Sequence, residues 1–128
     1  MIIGVGCDIV EHEITTKLEW FDNSSILKRL FSLSEIEKSP VKNQEKYFSG
    51  RFAVKEAILK CLNTGMEDGI SLTQIEIIKT ESGTVKALLT GQVKKIADLK
   101  NITDWHISIS HSNHSSIAFV IAENRKLD

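Results

Sequence analysis

The residues "IIGVGCDIV" at 2–10 place β-branched side chains at every other position, the alternation of a strand with one buried face. Side chains two apart share a face. Gly4, Gly6 and Asp8 therefore point the same way, and two absent side chains beside a carboxylate leave space for something to approach it. From 14 to 40 short amphipathic helical patterns alternate with polar breaks, "NSS" before "ILKRLF" and then "SLSEIEK", where Ser34 and Glu37 stand at capping-box spacing. Pro40, the only proline, ends this part, and Asn43 is placed to cap a long helix running to about Leu62. "NTGMEDG" closes that helix, with Asn63 or Gly65 suited to a left-handed terminal residue. "LTQIEIIK" and "TVKALLT" read as paired strands across the turn "TESG", and "GQVKKIADLK" has helical period. "DWHISIS" and "SSIAFVIAE" read as two strands of a hairpin joined by "HSNH". The pattern predicts an α+β fold, a single domain over residues 1–128 with about five mainly antiparallel strands packed around one long central helix.

Length supports the single domain, because two domains of this total size would each have a marginal core. The formal net charge of −1 supplies no overall positive field, so neither nucleic acid nor a membrane is an expected partner, and anion binding must be local. Cys7 and Cys61 lack CxxC spacing and sit among apolar residues, which favours buried thiols in a reducing compartment over a disulfide or zinc site. The amino terminus has no basic region before its apolar run. No uninterrupted apolar run reaches the ~20 residues that cross a bilayer. The expected location is the cytoplasm.

The stretch "RFAVKEAILKCLNTG" carries the candidate chemistry. Its apolar residues surround the helix axis, the mark of a buried helix, yet Arg51, Lys55, Glu56 and Lys60 lie among them. Unpaired buried charge costs roughly several kcal/mol per ion. Glu56 and Lys60, four apart, form an ordinary helix salt bridge in the plain reading. An anionic ligand would equally relieve the repulsion between Arg51 and Lys55. Asp8 and Glu56 would repel if brought together unless a divalent ion sat between them, and hard oxygen donors suit Mg²⁺ when phosphate and water complete its shell. Against this, Asp8 could simply cap a backbone group. His106, His111 and His114 lack zinc partners at ligand spacing. His111 continues the inward face of Trp105, Ile107 and Ile109, and reads as a core histidine or a functional one. There is no Walker loop, GxSxG or Cys–His signature.

Three segments together, in order over nearly the whole chain, resemble the 4′-phosphopantetheinyl transferases of the holo-[acyl-carrier-protein] synthase type: "GVGCDIVE", "RFAVKEAILK" and "SISHS". The resemblance implies transfer of the phosphopantetheine arm of coenzyme A to a serine of apo acyl carrier protein, with adenosine 3′,5′-bisphosphate released. It implies that Asp8 and Glu56 bind Mg²⁺ and that Lys60, the third catalytic residue, faces the same phosphates. The base would be Glu56 or a metal-bound water. Arg51, Lys55 and His111 would hold the nucleotide end of coenzyme A while Asn63, Thr64 and Gly65 close over its phosphates. It further implies a homotrimer with active sites between subunits, so that His111 or Arg51 serves a neighbour's site. The family often has an Arg shortly after the opening strand, where this chain has Glu13 and Ile14. Docking of the acidic carrier then falls to Lys17, Lys28 and Arg29, which otherwise read as a solvated helix face. Asn63 stands where the family has Gly, and Gly83-Thr84-Val85 replaces a Gly-x-Pro. Two competing readings are an Mg²⁺-dependent phosphohydrolase using the same carboxylates, and a non-catalytic coenzyme A-binding module.

Overall fold

The computed structural model describes residues 1–65 and 69–127. Strand β1 (Ile2–Glu11) is followed by three short helices, α1 (Glu13–Lys17), α2 (Ser24–Leu30) and α3 (Leu33–Glu37), and by the long helix α4 (Gln44–Cys61). After a 3-10 turn at Leu72–Gln74 come β2 (Ile75–Lys79), β3 (Val85–Leu89), α5 (Gly91–Leu99), β4 (Asp104–His111) and β5 (Ser115–Glu123). These five strands and five α-helices form an antiparallel sheet of order β1-β5-β4 and a separate β2-β3 hairpin. This is the expected α+β arrangement around α4. No helix among the described residues is long and apolar enough to cross a membrane.

Helix α4 lies against one face of the three-stranded sheet, and small residues make that contact possible. A Cβ on Gly4 would collide with the carbonyl of Cys61, and one on Gly6 with the carbonyl of Ala57, both inside the 3.0 Å that real Cβ atoms respect. The space predicted beside Asp8 is thus filled by helix backbone, and no cavity for a ligand opens over the glycines. Ala118, Val120 and Ala122 complete the buried face from β5, and Ala53, Ala57, Ile58 and Leu59 meet them from α4. The opposite face of the sheet is open. Val5 is 53% exposed, Ile9 60%, Ile117 41% and Phe119 45%, a contiguous apolar surface that one chain leaves in water. Cys7 is exposed on this strand, which corrects its expected burial, whereas Cys61 is buried and its thiol is pushed up to about 11 by that burial.

A second core of Trp20, Phe31 and Phe48 joins α1–α3 to the first half of α4, with Phe31 and Phe48 ring centroids 4.8 Å apart. The capping box at the start of α3 is formed by Ser32 and Glu35, two residues before the predicted pair, because the helix begins at Leu33. Asn43 does occupy the N-cap position of α4, but in a left-handed conformation (φ 60°) whose side chain makes no capping bond.

Lys55 departs furthest from expectation. Its side chain is 0% exposed, and its Nζ donates to Glu35 Oε1 at 2.6 Å, to the Leu30 carbonyl at 2.8 Å and to the Leu72 carbonyl at 3.1 Å. All three ammonium protons are engaged within the chain, so Lys55 has none left for the nucleotide it was expected to hold. Glu35, 1% exposed, also accepts from the Ile77 amide at 3.2 Å. Burial lowers the Lys55 pKa, and the Glu35 charge opposes that shift. The pair ties α2, α3, the 3-10 turn and β2 to α4 at one point. Removing one partner of a buried pair strands the other's charge. Lys55→Met should therefore lower the unfolding free energy by about 3–5 kcal/mol in urea denaturation, whereas a loss below about 1 kcal/mol would mean that the pair is not holding these elements.

Candidate active site

The close approach at Gly4 and Gly6 sets the end of β1 beside the second half of α4. Asp8 follows on the same strand face, with its side chain 18% exposed. Lys60 projects from the last turn of α4 and donates from Nζ to Asp8 Oδ1 at 3.1 Å and to the Cys7 carbonyl at 2.8 Å. Glu56, one turn earlier on the same helix face, is half-buried. Its carboxyl titrates above the usual range, first because burial penalises the charged form and then because of the negative charge of Asp8, with Lys60 pulling the other way. The plain Glu56–Lys60 helix pair is therefore not the arrangement found. Lys60 bridges to the strand, and Glu56 lies near enough to Asp8 to feel its charge.

Two hard oxygen donors and one cation thus converge on a partly open surface. Their chemistry suits a divalent cation, which would relieve the repulsion that raises Glu56. Among the described residues no group of three or more His, Cys, Asp or Glu side chains gathers at one point, so further ligands would have to come from substrate or water.

The other predicted residues fall into two groups. Asn63 takes the left-handed conformation (φ 55°) directly after α4, and the Thr64 amide returns to the Leu59 carbonyl at 3.0 Å, closing the helix as its sequence implied. A Cβ on Gly65 would meet no atom of the described residues, and residues 66–68 of that segment lie outside them. Arg51 stands about 140° around the α4 axis from Glu56, given 3.6 residues per turn. Its guanidinium stacks 3.7 Å above the Tyr47 ring, at the edge of a cleft of about 350 Å³ shared with Ser34, Lys38, Pro40 and Lys79. Arg51 Nε is buried without a hydrogen-bond partner among the described residues, and burial lowers the guanidinium's pKa. His111 is at the end of β4, its Cε1 2.8 Å from where a Cβ on Gly50 would stand. Gly50 lies six residues before Glu56, roughly 9 Å along the helix at 1.5 Å per residue. One chain therefore brings Asp8, Glu56 and Lys60 together and leaves Arg51 and His111 apart from them. Lys17, Lys28 and Arg29 are exposed on α1 and α2, with Lys17 paired to Glu13 at 2.6 Å.

Sequence reasoning passed over His12 and Glu35. Continuing the inward face of β1 by one step from Val10 reaches His12, and Ser32 to Glu35 matches capping-box spacing as well as Ser34 to Glu37 does. Both signals were present in the chain.

The family model described as the 4′-phosphopantetheinyl transferase superfamily matches residues 4–121. A protein of Hydrogenovibrio crunogenus named holo-[acyl-carrier-protein] synthase is 40% identical over 126 residues, covering 98% of this chain and 99% of the relative. The crystal structure of Helicobacter pylori holo-[acyl-carrier-protein] synthase in complex with coenzyme A superimposes with a TM-score of 0.80 at 31% identity, covering 93% of this chain and 99% of the other. That of the Neisseria meningitidis synthase reaches 0.86 at 27% identity, with 96% and 99% covered. With the matched residues running from the first strand to the last, and relatives aligned end to end at this identity, the chain belongs to the 4′-phosphopantetheinyl transferase superfamily.

Proposed function

We infer that this chain is a holo-[acyl-carrier-protein] synthase: it transfers the 4′-phosphopantetheine arm of coenzyme A to a serine of apo acyl carrier protein. The serine oxygen forms a bond to the phosphorus that carries the pantetheine arm, and the bond from that phosphorus to the oxygen of adenosine 3′,5′-bisphosphate breaks. The observation that carries this reading is the meeting of Asp8, Glu56 and Lys60 at the join of β1 and α4. Relatives bearing the synthase name, and one solved with coenzyme A, support it.

Each of the three has a separate task. Glu56, half-buried beside the strand that carries Asp8, is suited to receive the serine proton, directly or through a water held by the metal. Lys60 is held at the Asp8 carboxylate and the Cys7 carbonyl, and its remaining proton can meet the oxygen of the departing bisphosphate. Asp8 and Glu56 are also the residues that would hold Mg²⁺. The metal would offset the charge that develops on the leaving phosphate. Arg51 and His111 are assigned to the nucleotide end of coenzyme A, and Asn63, Thr64 and Gly65 to its phosphates.

The same reading includes a homotrimer. The open sheet face bearing Val5, Ile9, Ile117 and Phe119 is the surface that association would cover. Sites between subunits would also bring a neighbour's Arg51 or His111 to the carboxylates that its own chain leaves distant. Lys28 and Arg29, exposed in the last turn of α2, and Lys17 on α1 supply positive charge for an acidic carrier. We place the reaction in the cytoplasm, a compartment that suits the free thiols Cys7 and Cys61.

Mass spectrometry of apo carrier incubated with coenzyme A should show one phosphopantetheine added at the serine. The gain should vanish with a chelator and return with Mg²⁺. Bisphosphate release without carrier modification would instead indicate a hydrolase, and saturable binding with neither product a binding module. Asp8→Asn and Glu56→Gln should each cut turnover by about a hundredfold or more while the fold is retained; full activity in either defeats the assignment. Reversing Lys28 and Arg29 to Glu should raise the KM for carrier about tenfold and leave that for coenzyme A within about twofold, and equal effects would remove the docking face. Phe119→Arg should convert the assembly to monomers in sedimentation and abolish turnover together, and an active monomer would refute sites built between subunits.

A further inference from the structure

Three polar side chains near the β4–β5 hairpin, His12, Ser116 and His111, form a hydrogen-bonded chain, and only His111 has a part in the reaction proposed above. Ser116, fully buried at the start of β5, lies opposite Val10 on one side and His111 on the other. Its Oγ is 2.8 Å from His12 Nε2 and 2.6 Å from His111 Nδ1. The two imidazole centroids are 6.5 Å apart, too far for a hydrogen bond from ring to ring, so among the described residues the hydroxyl is what connects them by hydrogen bonds. His12 Nδ1 lies 3.4 Å from the carbonyl of Asn113.

A carbonyl can only accept, so the neutral His12 ring carries its proton on Nδ1 and presents Nε2 as a lone pair. A hydroxyl has one proton to donate. Ser116 therefore donates it to His12 Nε2 and accepts from His111 Nδ1–H. That leaves His111 Nε2 bare. If the pair of rings takes up one proton, the outcome at His111 is the same whichever ring holds it. A proton on His111 itself makes Nε2–H directly. A proton on His12 turns the hydroxyl round, so that Ser116 donates to His111 Nδ1 and the His111 proton resides on Nε2.

We propose that His12 and Ser116 are positioning residues that set the protonation of His111 Nε2, making it a bare acceptor in the neutral pair and a donor once the pair binds one proton. The proposal rests on the reading that His111 contacts coenzyme A, whose phosphate oxygens only accept. Binding of coenzyme A at this ring then draws a proton into the pair. The charged groups that face His111 are His12 from the end of β1 and Lys46 and Arg51 from α4. Burial and then these three hold its pKa below the ordinary histidine value, which favours the neutral ring. A histidine whose second ring nitrogen is set by the hydrogen bond at the first is a known route to tautomer control.

The test is nitrogen-15 NMR of the histidine rings in the full chain, read alongside the KM for coenzyme A as a function of pH. In the neutral wild-type protein His111 should show Nδ1 protonated and Nε2 bare, and the KM should rise by up to about tenfold per pH unit above the titration of the pair. In Ser116→Ala the His111 proton should become free to occupy Nε2, flattening the rise because the neutral ring can then donate. His12→Ala should act the same way, since the freed hydroxyl turns to donate to His111 Nδ1. A neutral wild-type ring with its proton on Nε2 overturns the proposal without any variant, as does a Ser116→Ala protein that keeps the wild-type tautomer and pH profile. His111→Ala with an unchanged KM for coenzyme A would remove the ligand contact instead, a result separable from the NMR signature.

Discussion

The contact on which the rest depends is backbone against backbone, where Gly4 and Gly6 of β1 meet the carbonyls of Cys61 and Ala57 in α4. Carbonyl groups of a helix cannot approach a strand that closely across a Cβ. The absence of two side chains brings the helix axis toward the sheet, and Ala118 and Ala122 on the adjacent strand allow the same approach. Everything at the site follows from that distance. Asp8 is the next residue on the strand face, and Lys60 can reach it only because the helix is held in. The cost is that positions 4 and 6 admit no side chain.

The same helix divides its charges by direction. Lys55 is turned to the interior, where Glu35 and two carbonyls replace its water, while Glu56 and Lys60 are turned to the strand edge and Arg51 to the Tyr47 ring. Consecutive residues Lys55 and Glu56 thus have opposite fates. One is consumed in holding α2, α3 and β2 in place, and the other keeps a carboxyl whose proton affinity is raised first by burial and then by a neighbouring negative charge. The two side chains are separated by 100° of helix rotation.

The outer face of the sheet stands in contrast to the inner one. Along β1 and β5 the inward positions are small, and the outward ones, Val5, Ile9, Ile117 and Phe119, are large and apolar. An ordinary two-layer protein would show polar residues there. This face adjoins the hairpin that carries His111 and Ser116.

The sequence by itself determined the order of elements, the single long buried helix, the shared face of Gly4, Gly6 and Asp8, and the family that three short motifs identify. Those features depend on local periodicity and on residue type, and they survive without knowing what packs where. What only the tertiary structure decided was the partner of each polar group. Spacing put Lys55 beside Arg51 and pointed both at a ligand, but Glu35 is twenty residues earlier and reaches Lys55 only after α3 folds back. The glycines looked like room for a substrate, and the helix itself took that room. The link from His12 through Ser116 to His111 joins positions 104 and 5 residues apart, and nothing in a local pattern announces it. Periodicity states which way a side chain points; burial, charge pairing and proton placement depend on what the rest of the chain puts in front of it.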